Sequence, residues 1–338
     1  MGINPSIIVL RSDKPLEESI FRKISLFCNV KPECVIENRT LQNLYEAPLM
    51  LEKSEFSDVV CRELHIDVPK PELSDWEQMV ERIRNRSEEV HIGLVGKYVK
   101  LHDAYLSVAE AMSHAGYELN TFVRIHWIDS ENITKENVNG ILEGLDGIII
   151  PGGFGNRGIE GMIQSANYAR KNQIPYFGIC LGMQIAVIEF ARNVLGLKDA
   201  HSGEFDEQCE HKVIDFMPGQ SEEIDKGGTL RLGSYPCSIK AGTKLEKCYG
   251  NKLIYERHRY EFNNKYREEL MRAGLVVSGT SPDDRLVETV ELQGHPFFVG
   301  VQFHPEFKSR PNRSHPLFKG FISAARVMKC SRIKRKEE

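Results

Sequence analysis

The chain has 338 residues, 41% of them hydrophobic and 27% charged, with a formal net charge of −4. That length suits about two domains with full cores, and the charge balance offers no electrostatic case for nucleic acid or a membrane surface as the main partner. No apolar run approaches the roughly 18 residues that span a bilayer, and no signal-peptide core is present.

The start, Met1 to Ser6, fits the N-myristoylation pattern, but Ile7-Ile8-Val9-Leu10 follows at once and reads as a core strand. Glu17–Ser25 is a helix candidate, and Leu26–Val30 and Cys34–Ile36 are strand candidates. These are too few elements to cover both faces of a parallel sheet, so residues 1–62 are expected to be the end of a domain whose earlier part is missing. Residues 63–89 read as a linker and helix: Val68-Pro69-Lys70-Pro71 is stiff and extended, and Ser74 with Glu77 forms a capping-box pattern. Trp76, Met79, Val80 and Ile83 mark one face of that helix.

From residue 90 to 328, strand and helix alternate, which predicts an α/β domain with a largely parallel sheet. The expected strands are His91–Val95, Asn120–Trp127, Asp146–Ile150, Ile174–Ile179, Leu275–Gly279, Leu286–Leu292 and Pro296–Phe303. The expected helices are Ala104–His114, Gly161–Lys171, Met183–Phe190 and Leu317–Met328, with shorter strands around 229–262 and a frayed polar tail at 329–338. Eight cysteines without a C-x-x-C pair read as reduced cytoplasmic thiols rather than a disulfide framework or a zinc site.

The chemistry concentrates at Tyr176-Phe177-Gly178-Ile179-Cys180-Leu181-Gly182-Met183-Gln184, where an apolar strand meets a Gly-x-Cys-x-Gly turn and then a helix. This is the pattern of a nucleophile elbow with sulfur in place of serine oxygen. The following helix aims its amide N–H groups at the thiol and favours thiolate. A packing cysteine would not need flanking glycines. A thiol nucleophile needs a base and a group to orient it. His304 and Glu306, two apart at a strand end, share one face and supply both. The N–H of Leu181 and the turn at Gly152-Gly153 are candidates for an oxyanion hole. There is no phosphate-loop motif and no metal-ligand pattern.

Gly178 to Gln184, Pro151-Gly152-Gly153-Phe154-Gly155 and His304-Pro305-Glu306 together resemble the class I, triad-type glutamine amidotransferases. Gly96-Lys97-Tyr98 with Asp103-Ala104-Tyr105, Arg257 to Glu261, Phe307 to Pro311, Leu10 to Asp13 and Lys23 to Val30 extend the resemblance to the CTP synthase family, over essentially the whole chain. The resemblance implies a ligase that makes CTP from UTP, ATP and glutamine. Its amidotransferase domain frees ammonia through a Cys180–His304–Glu306 triad, and a synthetase domain of P-loop type consumes it. By motif position Gly152, Gly153, Leu181, Gly182, Met183, Gln184, Glu204 and Arg259 hold glutamine, and Gly227 to Gly233 resembles the family's lid. Lys23 falls at the pyrimidine nucleotide, and Arg39, Thr40 and Leu41 line the adenine. The resemblance also implies a cytoplasmic homo-oligomer, or association with a synthetase domain, with GTP as activator.

The chain departs from the family in three places. The phosphate loop and Mg²⁺ carboxylates are missing, so no cofactor site is expected in these residues, and CTP formation is not expected from them alone. His201 stands where the family usually has Asn, and the basic motif at 257–259 is shorter by one His-Arg pair. Two other readings stay open: a free-standing γ-glutamyl amide hydrolase with the same triad, and a non-catalytic subunit that binds full-length synthase.

Overall fold

The computed structural model describes residues 4–215, 235–250, 253–256 and 261–337, and divides into two compact units, 1–85 and 86–338. In the first unit, strand β1 (Ile8–Ser12) lies parallel to β2 (Val35–Arg39), with helix α1 (Glu18–Cys28) between them in sequence. Helices α2 (Ala47–Lys53), α3 (Phe56–Leu64) and α4 (Ser74–Arg84) complete it. Its small core joins Cys34, Ile36 and Val59, with Ile7, Leu51 and Phe56 packed around them.

Two expectations for this unit fail. Leu26-Phe27-Cys28 is the last turn of α1 rather than a strand, and Leu26 and Phe27 are exposed. The helix ends on Asn29 in the left-handed conformation, φ 53°, which Asn tolerates better than most side chains. The capping box at Ser74 also does not form: Ser74 Oγ bonds Glu72, and the N-cap position falls to Leu73. Helix α4 is held instead by Trp76 Nε1 donating to Tyr45 O at 2.7 Å and by a bidentate Arg84–Glu46 pair.

The second unit runs β3 (Glu88–Gly96), α5 (Leu106–Glu118), β4 (Thr121–Asp129), α6 (Val138–Leu142), β5 (Gly147–Ile150), α7 (Ile159–Lys171), β6 (Tyr176–Ile179) and α8 (Leu181–Phe190). It continues through β7 (His201–Ser202), β8 (Lys212–Asp215), β9 (Tyr235–Ile239), α9 (Lys244–Tyr249), β10 (Leu253–Glu256) and β11 (Glu261–Phe262). Helix α10 (Arg267–Arg272), β12 (Leu275–Thr280), β13 (Val287–Leu292), β14 (Phe298–Val301) and α11 (Pro316–Glu337) close it. Among the described residues the main sheet has the order β10-β9-β12-β13-β14-β6-β5-β3-β4. The five strands from β14 to β4 are parallel, and the rest pair antiparallel. The central strands β5 and β6 are buried throughout, as strands covered by helices on both faces must be. β7, β8 and β11 form a separate small sheet.

Helix α11 continues through Glu337 and takes in most of the stretch read as a polar tail. Two contacts fasten it: Arg332 pairs with the fully buried Asp146 at 2.8 Å, and Lys329 Nζ donates to the backbone carbonyl of Glu89. Among the described residues no helix is long and apolar enough to cross a membrane.

Strand β6 and helix α8 meet at close quarters. A Cβ on Gly182 would strike the carbonyl oxygen of Ile150, and one on Gly178 would strike the backbone of Gly182. Tyr176 Oη donates to Gly182 O at 2.7 Å, and its ring stacks on Phe298 with centroids 4.4 Å apart. Gly182→Ala is therefore expected to lower unfolding stability by about 1–3 kcal/mol, read by denaturant titration. An unchanged midpoint would show that helix and strand can part without penalty.

Candidate active site

Cys180 sits between β6 and α8 with φ 53° and ψ −101°. A side-chain-bearing residue rarely adopts positive φ, and such strain persists only where the surroundings over-determine it. Here they do. Cys180 N donates to Val301 O at 2.7 Å, and Cys180 O accepts from the N–H groups of Met183 and Gln184. The thiol is thereby turned out of the strand onto the N-terminus of a buried helix.

The neighbouring parallel strand β14 delivers His304. Val301 pairs with Ile179, so the chain leaving β14 passes beside Cys180. His304 hydrogen-bonds Cys180 on one side, and on the other its Nδ1 donates to Glu306 Oε1 at 2.7 Å. Burial of the ring opposes its charge, but the bonds to Cys180 and Glu306 outweigh it and raise the imidazole to about 10. His304 is held as an imidazolium at neutral pH, between a sulfur and a buried carboxylate.

The turn after β5 closes the third side. A Cβ on Gly152 would lie 2.9 Å from His304 Cε1, so only glycine lets the ring reach its place. Gly153 lies against the Leu181 side chain, which sets the turn beside the first amide of α8. Gly182, Met183 and Gln184 are buried in α8, and Glu204 is half-buried past β7.

Lys97, within the Gly96-Lys97-Tyr98 motif, holds this turn. Its Nζ donates to the carbonyl oxygens of Phe154 and Gly155, and it faces Glu204 and the Phe205 ring. Its backbone is fixed by Tyr105 Oη and by Arg157, which bonds Lys97 O at 2.9 Å. The sequence signal was there: a lysine at the end of a buried apolar strand, where an unpartnered ammonium is costly.

Other expected site residues fall elsewhere. Arg259 and the lid stretch 227–233 lie outside the described residues. In the first unit Lys23 is exposed on α1. Arg39 ends β2 with its Nε 3.3 Å from Glu37, Thr40 Oγ1 donates to Asp13 at 2.6 Å, and Leu41 follows half-buried.

Residues 100–324 match the model of the class-I glutamine amidotransferases, more than half of the chain. The chain belongs to that family. Residues 1–66 match the model of the CTP synthase N-terminus, so this amidotransferase is of the CTP synthase kind. It is 56% identical over 327 residues to the CTP synthase of Listeria innocua, covering 96% of this chain and 62% of that protein. To the CTP synthase of Carboxydothermus hydrogenoformans it is 58% identical over 327 residues, covering 96% and 61%. The chain thus spans somewhat under two thirds of the length of these curated relatives. Among solved structures, the glutaminase domain of Trypanosoma brucei CTPS with bound acivicin superposes with a TM-score of 0.67 at 40% identity. That superposition covers 70% of this chain and 94% of the domain.

The Lys97 ammonium gives a pH test of this amidotransferase site. Burial lowers its pKa from 10.5 to about 8, with Glu204 opposing the shift and Arg157 adding to it. The unfolded chain therefore binds this proton more tightly, and folding stability rises as pH climbs from about 8 toward 10.5 and falls on the way down. The gain should reach up to about 3 kcal/mol. In Lys97→Met that rise, measured against wild type by urea unfolding across the window, should be absent. An identical pH slope in both proteins would place the ammonium in contact with water.

Proposed function

We propose that this chain hydrolyses glutamine to glutamate and ammonia through a γ-glutamyl thioester on Cys180, as the glutaminase half of CTP synthesis from UTP, ATP and glutamine. The observation that carries the reading is the strained Cys180 backbone with His304 hydrogen-bonded to both Cys180 and Glu306. Cys180 Sγ adds to the side-chain carboxamide carbon of glutamine as a thiolate, its proton having passed to His304. The carbonyl oxygen becomes an oxyanion that the N–H groups of Leu181 and of the Gly152-Gly153 turn are disposed to receive. Collapse breaks the C–N bond, the nitrogen takes the proton from His304, and ammonia leaves. Water, deprotonated by His304, then cleaves the thioester, and glutamate departs as sulfur recovers its charge. Glu306 holds the ring in the tautomer that presents Nε2 to sulfur.

Met183, Gln184, Glu204 and Arg259 complete the glutamine pocket in this reading. The amination of UTP, with ATP and Mg²⁺, belongs to a synthetase domain of which residues 1–66 carry the matched part, in a cytoplasmic homo-oligomer. The match of those residues and eight free cysteines support that placement.

A glutamine-mimicking chloroketone should label one cysteine, identified by peptide mass as Cys180. Cys180→Ala should lose glutaminase activity by about a thousandfold or more, and His304→Ala by about a hundredfold or more. Because the three side chains act as a unit, Cys180→Ala/His304→Ala should be no worse than Cys180→Ala alone. Glutamate release that survives in Cys180→Ala would end the assignment. The free-standing hydrolase has no observation that favours it over this reading, whereas the match at 1–66 runs against it.

A further inference from the structure

Gln302 lies one residue past β14, fully buried, with its backbone N–H fixed to Glu288 O at 2.8 Å. It stands two residues before His304, on the side of the chain that faces Cys180. Its side-chain Nε2 donates to Cys180 Sγ at 3.6 Å, an ordinary length for a hydrogen bond to sulfur. The other end of the same amide, Oε1, is buried without a hydrogen-bond partner among the described residues.

That pairing calls for an explanation. A buried amide with an orphaned oxygen is worse for folding than an apolar side chain of the same size, so packing alone would select methionine or leucine here. Such groups survive where one of their atoms serves the chemistry. Here that atom is the donor on sulfur, and a hydrogen bond to an ionised acceptor is about twice as strong as one to a neutral group.

We propose that Gln302 is a catalytic residue, its side-chain amide donating to Cys180 Sγ and stabilising the sulfur anion whenever it forms. This rests on the reading of Cys180 as nucleophile. The anion appears twice in a turnover, before attack and again when water expels sulfur from the thioester. His304 is the other donor to sulfur, but it gives up its proton during the reaction, whereas the amide of Gln302 remains a donor throughout. Two donors on one sulfur, one mobile in its proton and one fixed, divide the work of moving a proton and holding a charge.

The test is alkylation of Cys180 by iodoacetamide at pH 7, followed by peptide mass, together with steady-state glutaminase kinetics. Gln302→Met keeps the volume and removes the donor. Its alkylation rate should fall about five- to tenfold and its kcat by a similar or larger factor, with KM within about threefold, because the amide touches sulfur rather than substrate. Gln302→Asn keeps the amide but draws it back by one methylene, and serves if the methionine variant loses its cooperative melting transition; it should lose reactivity too. Wild-type alkylation and kcat in a folded variant would overturn the inference and leave the glutaminase reading standing. Retention of glutaminase in Cys180→Ala would instead sink the nucleophile reading, and the alkylation comparison would still report on the donor.

Discussion

The site depends on one strained residue. Cys180 is held at φ 53° because the chain must turn from a buried strand into a buried helix with no room to do so gradually. The room is missing because β6 lies between two other buried strands, and because α8 crosses so close that Gly182 rests on the Ile150 carbonyl. Strain of this kind costs on the order of 1–3 kcal/mol and is maintained by the packing around it. Once the turn is forced, the thiol stands just past the end of β6, and His304, Gln302 and Gly152 are brought to it by the chain leaving the neighbouring strands β14 and β5.

Charge is organised around that turn as tightly as shape. His304 is partly covered, and burial by itself would keep it neutral, yet two hydrogen-bonding partners hold it charged. Lys97 shows the opposite balance: burial outweighs the nearby Glu204, and its ammonium is kept by the carbonyl oxygens of Phe154 and Gly155. The glycine-rich turn is therefore fastened by a cation from the neighbouring strand β3, which places its backbone without using a side chain of its own. A loop built this way can be glycine-rich and still be held in one position.

Farther out, ion pairs fasten the helices to this frame. Arg170 on α7 makes a bidentate pair with the fully buried Glu189 on α8, so the helix that carries the elbow is tied to its neighbour. On α11 the pair Arg332–Asp146 does the same, and with the hydrogen bond from Lys329 to the Glu89 backbone carbonyl it keeps helical a stretch whose composition alone reads as a solvated tail. A buried carboxylate left without such a partner would be strongly destabilising.

What the sequence determined by itself was the local chemistry: strand and helix alternation from residue 90 onward, the Gly-x-Cys-x-Gly elbow, and a histidine and glutamate two apart at a strand end. These follow from side-chain periodicity and from turns that only glycine allows, which are properties of neighbours in the chain. The tertiary structure decided everything that depends on residues far apart in sequence. Leu26 and Phe27 are apolar enough for a strand, yet the helix begun at Glu18 carries through them, and no local pattern reports that. Ser74 could have capped its helix but bonds Glu72, and Trp76 and Arg84 anchor that helix through contacts some thirty residues away. Lys97 stood in a family motif that said nothing of its contact with the glycine-rich turn, and Gln302 stood in none. Their significance is that a carbonyl 57 residues away and a sulfur 122 residues away need a hydrogen-bond donor, and only the order of strands in the sheet puts one there.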